Sequence, residues 1–134
     1  CLALYTNCMF HGETNKRAEV GKIGEDIAEK FLAEQGYKIV DRNVRQKFGE
    51  IDIVAEDRKG DVHFVEVKTL SVKNSLEPED HLTSSKLVKM KRMADWYAGQ
   101  NPKIVKGNYQ LDLVAIKTDI EGIISSVRFY ENLI

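Results

Sequence analysis

The sequence predicts an α/β fold in which a central mixed β-sheet is flanked by helices, and three observations carry that prediction. Apolar residues recur at helical spacing in two stretches, one ending at Gln35 and one near Gly99. Five shorter stretches rich in Val, Ile, Tyr and Phe read as strands. Their order is helix, three strands, helix, two strands, which builds a sandwich of helices around a sheet.

Residues 1–13 fit no period well and lack the basic start of a signal peptide, so they are read as an extension, with Met9 as the expected natural start and 14–134 as one domain. Thr14 or Asn15 can cap the first helix, and Gly36 can end it as a C′ glycine. Val20, Gly24, Ile27, Ala28, Phe31 and Leu32 form its core stripe. At 100° per residue Glu25 lies about 20° beyond Leu32, at the border of the stripe. It can reach a site at the edge of the core there, and it can equally be one of several solvated acids beside Glu19, Asp26 and Glu29.

Residues 37–44 are the expected first strand, and 45–49 a basic turn in which Arg45 and Lys47, with Arg42 before them, either meet phosphates or simply solvate the turn. The next two strands form a hairpin over residues 49–68. After Lys68 a polar connection containing Pro78 runs to Leu82; it begins at the hairpin's charged end and is placed to cover it. Thr83 or Ser84 opens the second helix, with Leu87, Met90, Ala94 and Tyr97 as its apolar stripe and Trp96 off it. Lys86, Lys89, Lys91 and Arg92 make the densest basic cluster of the chain. Residues 109–117 and 123–130 are the last strands, turned at 118–122; Asp112, inside the first of them, is read as structural.

Composition sets bounds on function. The 134 residues suffice for one core and are too few for two. No run approaches the roughly eighteen apolar residues of a membrane helix, and cytoplasmic residence is expected. A formal net charge of −1 and a pI near 6.4 do not announce a nucleic-acid binder, so local patches must carry that case. Cys1 and Cys8 frame no disulfide scaffold or zinc site. His11, His63 and His81 show no metal-ligand spacing and are expected in loops or at the surface.

The hairpin carries the candidate site. A three-residue loop, Arg58-Lys59-Gly60, closing on Asp57 and Asp61, sets Glu56 opposite Val62, Val54 opposite Phe64, Asp52 opposite Glu66 and Glu50 opposite Lys68. Alternation puts Glu50, Asp52 and Val54 on one face and Ile51, Ile53 and Ala55 on the other. Facing side chains have Cβ atoms roughly 4.5–5.5 Å apart, so Asp52 and Glu66 call for a positive charge between them. A divalent cation with oxygen ligands meets that need, and Lys68 aims a further cation at the same place. A Glu-x-Lys triplet alone is weak evidence in a chain that is 31% charged, and an ordinary solvated hairpin would also contain one. The flanking Val65 and Val67, the facing acid and the apolar run 51–54 strengthen it.

A helix carrying a carboxylate, an acid on the second strand and Glu-x-Lys on the third together resemble the restriction-endonuclease-like αβββαβ core of the PD-(D/E)xK nuclease superfamily. The runs at 21–28, 32–37, 43–45, 48–55 and 64–69 resemble the bacterial YraN family, similar to archaeal Holliday-junction resolvases. The resemblance implies a metal-dependent endonuclease acting on structured or branched DNA rather than RNA, with Mg²⁺ or Mn²⁺ as cofactor and, for junction resolution, a homodimer. It makes Asp52 and Glu66 metal-binding acids, the Val67 carbonyl a further ligand, Glu25 an added carboxylate acting directly or through water, and Lys68 the residue that orients or activates the attacking water. Lys86 matches a basic position of the family, and Arg45, Lys47, Lys89 and Arg92 are the remaining candidate nucleic-acid contacts. Glu50 either binds metal or pairs with Lys68. Leu70 stands where the family carries Arg, removing one expected phosphate contact. Two other readings are a nucleic-acid-binding adaptor that does not cut and a module acting through a protein partner.

Overall fold

A computed structural model describes residues 16–71 and 82–134, the first five of them by their backbone alone. The expected caps Thr14 and Asn15, Val20's place in the stripe, Cys1, Cys8, His11, His81 and most of the connection after the hairpin lie outside the described residues.

The elements are α1 (Lys16–Glu34), β1 (Lys38–Gln46), β2 (Gly49–Glu56), β3 (Val62–Ser71), α2 (Ser84–Gln100), β4 (Tyr109–Thr118) and β5 (Ile124–Tyr130). The observed order contains the predicted αβββαβ core. The five strands make one mixed sheet in the order β1-β2-β3-β4-β5, with β3 and β4 parallel and the other pairs antiparallel. No helix among the described residues is long and apolar enough to cross a membrane.

The two helices cover opposite faces. Ile27, Ala28 and Leu32 of α1 pack on Ile53, Ala55, Val65, Val114 and Ile116, while Met90, Met93, Ala94 and Tyr97 of α2 pack on Ile51, Val54, Phe64 and Leu111. α1 ends before Gly36, whose φ of 95° suits glycine, and Thr83 caps α2 by accepting the Lys86 N–H at 3.2 Å. The end of α1 and both ends of α2 thus lie where the sequence places them; Met93 is an addition to the predicted stripe.

The β2–β3 turn also follows prediction: Gly60 has φ 90°, the Asp57 N–H bonds the Asp61 carbonyl at 2.9 Å, and Glu56 pairs with Val62 and Val54 with Phe64. The basic turn before β2 is shorter than predicted. Arg45 and Gln46 stay in β1, paired with Glu50 and Gly49, and only Lys47 and Phe48 turn the chain. Likewise Thr69, Leu70 and Ser71 extend β3 instead of opening the connection, because each pairs with a residue of β4.

Strict alternation fails in β2, and the failure positions the site. Ile51 packs with Val54 on the α2 face, whereas Ile53 and Ala55 face α1. In the β1–β2 register, Arg42 faces Ile53 and Val44 faces Ile51, which sets Asn43 across from Asp52. Asn43 has φ 55°, a left-handed conformation that breaks the pleat at that point. The ribbon therefore changes face between the Arg42/Ile53 pair and the Val44/Ile51 pair. Asp52 sits on that twist, between the two helix layers.

Candidate active site

The β2–β3 ladder runs from Glu56↔Val62 to Ile53↔Val65. Beyond it the Val67 N–H donates to Asp52 Oδ2 at 2.8 Å, so a side chain takes the place of a backbone acceptor. The N–H and C=O of one strand residue point to the same edge. The Val67 carbonyl therefore faces the side where Asp52 lies. A cleft of about 640 Å³ lies at this end of the hairpin, lined by residues that include Glu25, Glu50, Asp52, Glu66, Val67, Lys68 and Lys86.

Asp52 and Glu66 are 8% and 6% exposed. Burial and the neighbouring Glu66 carboxylate, opposed by the Val67 N–H, push the Asp52 carboxyl up to about 8, with Glu25 and Glu50 adding to the repulsion. The predicted confrontation of two acids is thus present, and it strains the pair electrostatically. Lys86 of α2 answers part of it, its Nζ lying 2.5 Å from Glu66 Oε1. That contact points Lys86, the basic position the family resemblance singled out, toward Glu66.

Close approach of α1 brings Glu25 to the cleft. A Cβ on Gly24 would stand 2.5 Å from Thr69 Oγ1 and 3.8 Å from Val67 Cγ1, so only glycine lets the helix lie this near β3. Glu25 lines the cleft while its carboxylate pairs with Arg42 Nη2 at 3.4 Å. Arg42 also meets Asp26 at 2.6 Å and Glu29 at 2.9 Å, which ties it to α1 and takes it out of the phosphate contacts considered for it. Glu50 pairs with Arg45, its β1 neighbour, at 3.5 Å, and not with Lys68. Both groups of that pair are largely exposed.

The other basic candidates gather on one side. The β1–β2 turn lies against α2, where a Cβ on Gly49 would meet Met93 Cγ at 2.9 Å and the Lys89 carbonyl at 3.8 Å. Phe48 stands edge-on to Trp96, and the Arg92 guanidinium covers its ring at 4.8 Å. Lys47, Lys89 and Arg92 are exposed there.

Sequence reasoning misses a second cluster. His63 is 2% exposed, a buried strand residue and not the surface histidine expected. Its Nδ1 lies 2.5 Å from Oδ2 of the fully buried Asp112, and its Nε2 lies 2.9 Å from Asp57. Asp112 accepts further hydrogen bonds from Gln110 and the Asn132 N–H, which fits its predicted structural part. His63, Asp112 and Glu131 bring ligand-type atoms within 4.8 Å of one another, an acidic group of a kind that can hold a metal. Direct contact with carboxylates at both nitrogens makes His63 a buried ion-pair partner. Burial opposes charging the imidazole, but the hydrogen bonds to Asp112 and Asp57 prevail and raise its pKa. The sequence signal is His63 in a strand diagonal to a buried acid, Asp112 standing two residues beyond its β4 partner Gln110, and it is legible only once β3 and β4 are known to be neighbours.

Comparison with known proteins places the chain among relatives. The model of the uncharacterised protein family UPF0102 matches residues 24–116. A UPF0102 protein of Campylobacter jejuni subsp. jejuni is 39% identical over 114 residues, 84% of this chain and 91% of the relative. One from Caldicellulosiruptor saccharolyticus is 35% identical over 118 residues, 88% of this chain and 98% of the relative. Among solved structures, Pyrococcus furiosus SfsA in complex with Ca²⁺ aligns with a TM-score of 0.39 and 21% identity, over 87% of this chain and 64% of that one; a likeness at this level carries no argument about the site. The matched span contains α1 from Gly24, the whole hairpin and α2, and so every residue that lines the cleft except Gly21. The chain belongs to the UPF0102 family, the YraN family that its motifs resemble.

Proposed function

We propose that the cleft is the centre of a metal-dependent endonuclease that hydrolyses phosphodiester bonds in structured or branched DNA. The observation that carries this reading is the pair of buried acids, Asp52 and Glu66, held side by side where the β2–β3 ladder ends. Repulsion between them favours a cation. With the Val67 carbonyl they form an all-oxygen donor set, which suits Mg²⁺ or Mn²⁺.

When bound, such an ion supplies Lewis acidity toward a phosphoryl oxygen and lowers the pKa of a water. The protein's own residues do the rest. Asp52 and Glu66 would hold the ion, and the Val67 N–H fixes Asp52. Lys68, on the cleft wall, places positive charge where the attacking water and the phosphate meet. Glu25 enters the cleft from α1 and can accept a proton or orient a water. Lys47, Lys89 and Arg92, on exposed ground between the β1–β2 turn and α2, supply phosphate contacts. Two copies acting on opposing strands would be needed to resolve a junction.

The test is cleavage of a labelled four-way junction, a flap, linear duplex and single strands with Mn²⁺ or EDTA, comparing wild type with Glu66→Gln and Lys68→Ala. Metal-dependent cutting lost in both variants supports the nuclease. Nucleic-acid binding that never leads to cutting transfers the support to an adaptor.

A further inference from the structure

Lys86 is placed in an unusual way for a basic residue at the mouth of a proposed phosphodiesterase cleft. Its backbone is fixed, because its N–H is held by the Thr83 cap in the first turn of α2. Its side chain reaches inward to Glu66 Oε1 at 2.5 Å, and is itself about a third exposed. Glu66 is one of the two carboxylates that would hold the metal. Among the described residues, the other acids of the cleft are already matched, Glu25 by Arg42 and Glu50 by Arg45. That leaves Asp52 and Glu66 facing Lys68 and Lys86.

We infer that Lys86 is a resident counter-ion that competes with the divalent cation for Glu66, so that metal binding releases Lys86 toward substrate phosphate. The inference rests on the nuclease reading for the identity of the metal site, and it adds a coupling between the metal and DNA. An ammonium at hydrogen-bond distance takes a lone-pair direction on Glu66 Oε1 and repels an incoming cation, so the ion and the ammonium compete for the carboxylate. The displacement is local, since the Lys stem rotates about its own bonds while α2 stays capped. Once displaced, Lys86 is a cation at the cleft edge beside a site that has gained two positive charges, and a phosphodiester anion is the partner that balances it. By reciprocity, metal then strengthens DNA binding, and DNA that engages Lys86 strengthens metal binding.

The experiment measures Mn²⁺ affinity by calorimetry, without DNA, for wild type, Lys86→Met, Lys86→Gln and Lys91→Met. Lys91 lies on the same helix and pairs with Asp95, so its variant removes an equal charge without touching Glu66. Lys86→Met and Lys86→Gln are expected to bind Mn²⁺ at least about tenfold more tightly than wild type, the lower end of the scale of one charge-assisted hydrogen bond, and Lys91→Met to match wild type. DNA affinity, read by fluorescence anisotropy with Ca²⁺ against EDTA, should rise with metal in wild type and rise less in Lys86→Met. Thermal unfolding in EDTA checks that each variant is folded, and Lys86→Gln serves if Lys86→Met is not. Unchanged or weaker Mn²⁺ binding in both Lys86 variants overturns the inference, as does an equal gain in Lys91→Met. Tighter binding by the Lys86 variants in a protein that cuts no nucleic acid leaves the competition standing and removes the nuclease reading. A wild type that binds no Mn²⁺ overturns both.

Discussion

Replacing Asp52 with Asn should make the metal-free protein more stable at alkaline pH, although it removes a proposed metal ligand. The carboxyl's pKa rises from 3.8 in the unfolded reference to about 8 in the fold, through burial first and Glu66 second. Between those values the folded state holds a proton that the unfolded state has released, so stability falls as pH rises. Each unit corresponds to about 1.4 kcal/mol, so the full shift sets a ceiling of about 6 kcal/mol on the loss. The amide introduced by Asp52→Asn stays neutral throughout, and its carbonyl can still accept the Val67 N–H. The stability gap in favour of Asp52→Asn should therefore be small near pH 4 and widen by up to about 1.4 kcal/mol per unit toward pH 8. Urea unfolding in EDTA at pH 5, 6, 7 and 8 measures it. Saturating Mn²⁺ should then stabilise wild type and leave the variant unmoved. A gap that does not grow with pH, or a variant less stable than wild type at pH 8 in EDTA, refutes the argument that Asp52 is electrostatically strained.

Three further outcomes are expected. Gly24→Ala should cost about 1–3 kcal/mol in thermal or urea unfolding, because its methyl would press on Thr69 Oγ1 and force α1 off β3; it should also lower any cleavage rate by moving Glu25. His63→Gln should destabilise the fold most at low pH: the raised pKa of His63 means its ion pairs contribute fully below about 6.5 and fade as pH rises through the folded value, so the gap to wild type should narrow on the alkaline side. Joint replacement of Lys47, Lys89 and Arg92 by Ala should weaken DNA binding across sequences and flatten its salt dependence, with a slope lower by about 2–3 on a log–log plot.

Much of this architecture is legible in local sequence because local physics decides it. Gly36, Gly60 and Thr83 act within a turn of their own positions, and the helix boundaries and the β2–β3 register follow from them. The approach of Asp52 to Glu66 follows from counting outward from Gly60, although the paired ladder itself stops one step short of them, at Ile53↔Val65. The features that elude the sequence depend on contacts between distant segments. Arg42 is claimed by three acids of α1, Glu66 by a lysine 20 positions later, and His63 by an aspartate 49 positions later. Alternation misplaces Ile51 because one left-handed residue on the neighbouring strand, Asn43, turns the ribbon over. Charge type is visible in every case; which opposite charge answers it is not.

The unbroken parallel pairing of β3 with β4, ten consecutive pairs from Val62↔Tyr109 to Ser71↔Thr118, has a consequence for synthesis. β3 carries Glu66 and Lys68, yet it stays a sheet edge until residues 109–118 have left the ribosome. A nascent chain that ends after α2 has translated every acid and lysine of the cleft while leaving their strand unpaired on one side. Any activity of the cleft therefore waits for β4 to emerge, and a truncation within β4 should yield an aggregating chain rather than a weakly active one.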